Sequence, residues 1–371
     1  MTVFVRELDL GGAGLRVAVK DCIDVAGEAT VAGSRALAHV VPAAANATVV
    51  RRSLEAGCQI VGKTTMHELA FGISGINDWA GTPVNHRWPH LIPGGSSSGA
   101  AAAVAAGLAD ISIGTDTGGS IRIPACCCGV FGLKPTFGRI SRQGVWPRVS
   151  SLDSVGPLAA NASLLIRAME IMDPAFFPCT DGSIRVGLLN VQAAPNVQRA
   201  IVRVLGRAGL ASKEVHLSGM EAAFTAGVTI MNAETWSAFG PLLETGLVGQ
   251  DVALRLARAS MTTPDEVAAA ETVRAAFTAE VDAALERSDV LVLPTMPDHP
   301  PRLDDARTDR SAVGMTTFVR PFNLSGHPAA TVPVQDHSDE PIGLQIVGRK
   351  GEDEKVLAVA FQIGDALAST R

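Results

Sequence analysis

The sequence lacks the features that mark several classes of protein. Its six cysteines form no Cys-x-x-Cys pair and no cysteine–histidine spacing of a metal site, and Cys126 to Cys128 are consecutive, which excludes a disulfide framework. No run reaches the ~18 apolar residues needed to span a bilayer. The first ten residues lack the basic-then-apolar layout of a signal peptide. We therefore expect a cytoplasmic protein with buried, reduced cysteines, no metal and no membrane partner.

An excess of positive charge is also missing. The chain has 31 Lys and Arg against 37 Asp and Glu, a net charge of -6, whereas nucleic-acid binding needs a basic face. Its 371 residues are 47% hydrophobic, enough for a sizeable core. Because the sequence contains no internal repeat and no low-complexity linker, residues 1–371 are predicted to form one domain. The net negative charge predicts that this domain has no nucleic-acid partner.

Two clusters of glycine and serine stand out among what is present. Residues 94–99 read GGSSSG and residues 118–120 read GGS. An alanine-rich segment of helix-forming composition and a β-prone run at residues 111–113 lie between them. Glycine lets a substrate approach the backbone closely. The two clusters lie at opposite ends of one helix–strand unit, so they are expected to bring several backbone N–H groups and serine hydroxyls to one place. This pattern favours attack of a serine on a carbonyl carbon, with N–H donors for the oxyanion.

Elsewhere, strand-like and helix-like segments alternate, which predicts an α/β fold with helices on both faces of a central sheet. The predicted strands are 15–19, 59–61, 111–113, 184–191, 215–217, 290–293, 329–334 and 342–347. The predicted helices are 47–56, 63–71, 196–208, 263–287 and 353–367. The segments 128–138, 144–158 and 304–310 are predicted to be loops.

Three local features allow a structural or a functional interpretation. Lys20 directly follows a predicted strand, and its amine either reaches solvent or is a partly neutral, buried base. Asp153 either caps a helix or orients a catalytic loop. Residues 57–64 match the phosphate-binding pattern GxxxxGK followed by Ser or Thr. A helix precedes this match and its middle resembles a strand, so we do not predict nucleotide binding.

Taken together, the motifs resemble those of the amidase signature family, in the order in which that family carries them. They are Val19-Lys20-Asp21, Gly62-Lys63-Thr64, Gly94-Gly95-Ser96-Ser97, Gly114 to Arg122, Gly132 to Thr136, Ser151-Leu152-Asp153, Pro321 to Leu324 and Gly343 to Gly348. The resemblance implies a single large domain with a central mixed β-sheet covered on both faces by helices. It also implies a catalytic core at about residues 15–160.

The resemblance further implies an amidohydrolase without metal or cofactor, which cleaves a small carboxamide. Lys20 would be the base, Ser96 a bridging serine after a cis Gly95–Ser96 bond, and Ser120 the nucleophile. The oxyanion hole would consist of the N–H groups of Thr117, Gly118, Gly119 and Ser120, and the supporting residues would be Ser97, Asp116 and Arg122. A relay without histidine is physically reasonable, because burial lowers the pKa of a lysine from ~10.4 toward neutrality.

Other interpretations remain open at this point. The sequence GGSIR around Ser120 is not the GxSxG elbow, and neither the histidines nor Cys126 to Cys128 show a catalytic pattern. Within the family, an amidotransferase A-type subunit that releases ammonia from glutamine is the alternative, and a non-catalytic scaffold is a remote one. A homodimer or a small partner subunit would fit. Ureas and carboxylate-bearing amides are among the alternative substrates.

Arg320 precedes Pro321-Phe322-Asn323, a segment that in the family runs close to the acyl pocket. An arginine at this position is predicted either to pair with a substrate carboxylate or to bond within its own loop. The first interpretation predicts a preference for substrates that carry a free carboxylate.

Overall fold

The eleven strands of the described residues belong to one sheet. The computed structural model of the chain describes residues 3–179, 184–308, 312–335 and 340–369. The strands are β1 Phe4–Gly11, β2 Arg16–Lys20, β3 Gln59–Thr64, β4 Ile111–Asp116, β5 Phe131–Lys134, β6 Ser154–Ala159, β7 Val186–Leu189, β8 Ser212–Val215, β9 Val290–Pro294, β10 Ala329–Gln335 and β11 Pro341–Gly348. Their order across the sheet is β1-β3-β2-β4-β6-β5-β10-β11-β9-β7-β8.

The sheet is mixed, and its parallel parts position the two serine clusters. β2 pairs in parallel with both β3 and β4, and β7 pairs in parallel with β8 and β9. The remaining pairs are antiparallel, among them β4 with β6 and β10 with β11. Because β2 and β4 are parallel neighbours, their carboxyl ends, which carry Lys20 and Asp116, lie at the same edge of the sheet.

Helices cover both faces, as predicted. They are α1 Thr48–Glu55, α2 Ser98–Ala105, α3 Arg122–Cys128, α4 Ala162–Met172, α5 Pro195–Arg207, α6 Met220–Phe239, α7 Gln250–Ala259, α8 Pro264–Arg287, α9 Leu303–Thr308, α10 Arg320–Leu324 and α11 Asp353–Ala368. Side chains alternate along β9: Val290 and Val292 belong to one buried apolar cluster with residues of α1, α4, α5 and α11, whereas Leu291 and Leu293 belong to a second cluster with residues of α6, α8 and α10. The predicted α/β fold is thus confirmed.

Several local predictions were wrong, and for the segments that form strands the reason is that pairing in the sheet outweighs local composition. Residues 63–71, predicted as a helix, contain the end of β3 and a short 3-10 turn. The predicted loops 128–138 and 144–158 contain β5 and the start of β6, and 304–308 are helical. The strand predicted at 215–217 lies at Ser212–Val215 instead. The part of the predicted loop at 309–310 lies outside the described residues.

The burial of the cysteines agrees with their interpretation as core residues. Five cysteines are at most 2% exposed, and Cys179 is partly exposed. Among the described helices, none is both long and apolar enough to cross a membrane. In the same residues, no group of three or more His, Cys, Asp or Glu side chains is arranged to hold a metal ion.

Candidate active site

The amine of Lys20 ends in the protein interior, against the first serine cluster. Lys20 is the last residue of β2 and is fully buried. Its Nζ lies 2.7 Å from Ser96 Oγ, 2.8 Å from Thr115 Oγ1 and 3.4 Å from the Thr115 carbonyl oxygen. The amine therefore does not reach solvent, and the interpretation of Lys20 as a buried residue is the one that the geometry supports.

Burial also changes the acidity of this amine. Removing the ammonium from water lowers the pKa of Lys20, while the nearby groups of Cys22, Asp153 and Asp116 act in the opposite direction without overcoming the effect. A lysine with a lowered pKa has a larger neutral fraction, and only the neutral amine can accept a proton.

Ser96 and Ser97 connect Lys20 to the second cluster. The peptide bond between Gly95 and Ser96 is cis, as the family resemblance implied. The Ser97 N–H donates to the Ser120 carbonyl at 3.2 Å, and Ser97 Oγ donates to the Thr115 carbonyl at 3.2 Å. Through these two hydrogen bonds Ser97 holds the two serine clusters side by side.

Ser120 lies in the turn between β4 and α3 and faces an open cavity. Its side chain is largely buried, and it contributes to the wall of a cavity of about 440 Å³. In the described part of the chain, Ser120 Oγ has no hydrogen-bond partner. The hydroxyl is therefore accessible to a small molecule in the cavity.

A buried ion pair fixes the turn that carries Ser120. Arg122 is fully buried and donates from Nε to Asp116 Oδ2 at 3.0 Å and from Nη2 to Asp116 Oδ1 at 2.9 Å. Its other bonds go to the Val319 carbonyl, Gln345 Oε1 and Asn323 Oδ1. Burial by itself raises the pKa of the Asp116 carboxyl, but the charge and hydrogen bonds of Arg122 hold that pKa well below its usual range.

The same carboxylate modifies one part of the predicted oxyanion hole. Asp116 Oδ1 accepts a hydrogen bond from the Gly119 N–H at 2.7 Å, so this N–H already has a partner in the turn. The N–H groups of Thr117, Gly118 and Ser120 have no acceptor among the described residues. In this geometry three of the four predicted donors are available, and Gly119 instead connects the turn to Asp116.

Asp153 contacts the turn that carries Ser120 and caps no helix. It is almost fully buried just before β6, where its Oδ1 accepts from Thr117 Oγ1 at 2.9 Å and its Oδ2 accepts from Arg142 Nε at 3.0 Å. Of the two interpretations of Asp153 in the sequence, the helix cap was wrong. The carboxylate thus restrains the side chain of Thr117, which lines the cavity.

The sequence did not reveal most of the cavity wall. Segments from distant parts of the chain complete it. They are residues 70–73, Val228, Met231 and Asn232 on α6, Asp251, Leu254, Arg255 and Arg258 on α7, and Thr316 and Arg320. Neither α6 nor α7 was predicted, because no local motif marks them. Thr115, by contrast, lies inside the motif Gly114 to Arg122, so its contact with Lys20 had a signal that was overlooked.

The phosphate-binding pattern at residues 57–64 belongs to the sheet. Residues 59–64 form β3, and Lys63 is buried with its Nζ 3.1 Å from Asp21 Oδ1. The same Nζ donates to the Ala29 carbonyl at 2.7 Å. A lysine committed to these partners does not extend from a loop toward a phosphate, which agrees with the rejection of nucleotide binding.

The Asp116–Arg122 pair leads to a stability prediction. Arg122→Met should lower the free energy of unfolding by about 3–5 kcal/mol, because it leaves the Asp116 carboxylate buried without its cation. Denaturant unfolding measures this change. As a control, Arg185→Met removes the solvent-exposed partner of Asp289 and should leave the melting temperature nearly unchanged. A wild-type free energy of unfolding for Arg122→Met would contradict the argument.

Comparisons with known proteins cover the sheet and both serine clusters. A family model described as Amidase matches residues 10–176 and 182–357. The A subunit of glutamyl-tRNA(Gln) amidotransferase from Thermus thermophilus is 34% identical over 403 residues, covering 96% of this chain and 85% of that protein. The protein of the same name from Natronomonas pharaonis is 34% identical over 388 residues, covering 90% and 91%. A crystal structure of an amidase superposes with a TM-score of 0.88 at 33% identity, covering 94% and 84%.

Proposed function

Because the chain belongs to the amidase signature family, we propose that it hydrolyses a small carboxamide through an acyl-enzyme formed on Ser120. Its family members act on carbon–nitrogen bonds, and this chain is an enzyme of that kind. The observation that carries the proposal is the 2.7 Å contact between Nζ of the buried Lys20 and Ser96 Oγ, beside the turn of Ser120. The proposed triad is Lys20, Ser96 and Ser120.

The first step is a proton relay. A neutral lysine amine has two N–H groups and one lone pair. With both N–H groups donated to the hydroxyl and carbonyl of Thr115, the lone pair accepts the hydroxyl proton of Ser96. The Ser96 oxygen takes the proton of Ser120, and Ser120 Oγ forms a bond to the carbonyl carbon of the substrate.

The second step depends on the turn. The carbonyl oxygen becomes an oxyanion, which accepts hydrogen bonds from the N–H groups of Thr117, Gly118 and Ser120. Loss of one such donor typically lowers the rate by about 10²–10³-fold. The carbon–nitrogen bond then breaks, and the departing amine receives its proton from Ser96, which regains one from Lys20. Water attacks the acyl-enzyme through the same relay, which releases the acid and restores Ser120.

A second candidate function has support from the relatives. The Thermus and Natronomonas proteins are A-type subunits of glutamyl-tRNA(Gln) amidotransferases and match nearly the whole of this chain. An A-type subunit uses the same chemistry on glutamine, passes the ammonia on and works with partner proteins. The alternative differs from the first proposal in the substrate and in the dependence on partners, not in the catalytic residues.

Active-site labelling and partner dependence test these proposals. A fluorophosphonate probe should label Ser120, as peptide mass spectrometry would show, and the isolated protein should release ammonia from simple carboxamides. EDTA should leave both results unchanged. No labelling would instead favour the non-catalytic scaffold. Glutamine hydrolysis that appears only after partner proteins are added would favour the amidotransferase function.

A further inference from the structure

Arg320 is a buried cation without an anionic partner in the described part of the chain. It is the first residue of α10 and is 6% exposed. Its Nη1 lies 3.0 Å from Met231 Sδ, its Nη2 donates to Thr316 Oγ1 at 3.2 Å, and its Nε has no hydrogen-bond partner. Asp116, whose charge raises the pKa of Arg320, is already paired with Arg122.

The chain makes room for this guanidinium beside the catalytic turn. A Cβ at position 118 would lie 2.7 Å from Arg320 Nη1, and a Cβ at position 227 would lie 3.0 Å from Arg320 Cγ. Glycine occupies both positions, so the side chain passes α6 at Gly227 and its head lies against Gly118. The ring of Phe224 contributes a further contact, 5.6 Å from the guanidinium carbon.

The charge of this group persists at neutral pH. Burial lowers the pKa of Arg320 to about 10, which leaves the guanidinium protonated. An unpaired buried charge is unfavourable, and the guanidinium presents a donor fork that matches a carboxylate.

Resting on the proposed function, we infer that Arg320 binds a free carboxylate of the substrate. The substrate class is therefore a short acid amide, such as the monoamide of a dicarboxylic acid. Gly118, which the guanidinium contacts, and Ser120 are two residues apart, so their Cα atoms are at most ~7.6 Å apart. Because the guanidinium lies against the same short turn that carries Ser120, we expect a short spacer, roughly one to three carbon atoms, between the carboxylate and the scissile carbonyl.

Ligand binding to Ser120→Ala tests this inference without turnover. Succinamate carries a carboxylate, and 4-oxopentanamide replaces it with a neutral acetyl group of similar size. Calorimetry should show that succinamate binds about 10- to 100-fold more tightly than 4-oxopentanamide. Adding Arg320→Leu should remove most of this preference, mainly by weakening the binding of succinamate. Equal affinity for the two amides, or no binding of succinamate, would overturn the inference.

Matched variants separate the local contact from general effects. Arg258→Leu removes an exposed arginine of the same cavity and should change the affinity for succinamate by less than about threefold, because solvent screens that charge. Arg320→Gln, which keeps a donor for Thr316, should lose the preference as Arg320→Leu does. If it kept the preference, the guanidinium charge would not be the cause.

The two proposals can fail independently. Fluorophosphonate labelling of wild-type Ser120 reports on the nucleophile and does not require Arg320. Normal labelling without a preference for succinamate would overturn the carboxylate site alone. A preference for succinamate without labelling would leave the carboxylate site and overturn the acyl-enzyme.

Discussion

Replacing Ser120 with alanine is expected to lower kcat for amide hydrolysis by about 10⁶-fold, the loss typical for removal of a catalytic nucleophile. The variant lacks the oxygen that forms the acyl-enzyme, while the ion pair of Asp116 and Arg122 still holds the turn. Ser96→Ala should lower kcat by several orders of magnitude, because it removes the relay and keeps the nucleophile. Steady-state ammonia release, with mass spectrometry of the labelled protein, measures both changes.

Ser98 offers a matched control within the same serine cluster. It is fully buried, and its hydroxyl has no hydrogen-bond partner among the described residues. Ser98→Ala therefore removes no interaction and should leave kcat unchanged and stability equal or slightly higher. A loss of activity in Ser98→Ala similar to that in Ser96→Ala would show that the cluster responds to any substitution, and it would contradict the assigned relay.

The parts of the fold that the sequence predicted are those with strong local signals. Helix α8 begins at Pro264, and the preceding Thr263 forms a capping box with Glu266 in the structure. The apolar run of β9 is buried on both faces, as its composition predicted. By contrast, β5 and β6 carry Gly132 and Pro157, so their composition resembles that of loops. They are strands because β5 pairs with β10, β6 pairs with β4, and the two pair with each other.

The candidate site likewise contains residues that local motifs predicted and contacts that depend on tertiary packing. Lys20, Ser96 and Ser120 were predicted as site residues because short motifs surround each of them, and the structure brings Lys20 and Ser96 into contact. The contacts of Arg320 with Met231 and Thr316 could not be predicted, since they depend on how α6 and α10 pack. The Gly119 hydrogen bond was missed for a related reason: the direction of a backbone N–H in a turn depends on dihedral angles that a GGS motif leaves open.

Lys20→Met should lower kcat nearly as much as Ser120→Ala and leave the protein folded. Methionine fills most of the space of the buried lysine stem but has no amine to accept the proton of Ser96. Because the amine is fully buried, its removal should keep the melting temperature at or above that of the wild type. Lys63→Met provides the opposite case: it breaks the buried pair with Asp21 and should lower stability, while the folded fraction keeps its kcat.

The pH dependence tests the same role of Lys20. Protonated Lys20 cannot accept a proton, so wild-type activity should rise with pH along one ionisation and reach a plateau where the amine is neutral. Since burial lowers the pKa of Lys20, the midpoint should lie below the ~10.4 of a free lysine. The residual activity of Lys20→Met should lack this ionisation. If Lys20→Met kept more than about a tenth of the wild-type kcat, or an unchanged pH profile, another group would have to be the base.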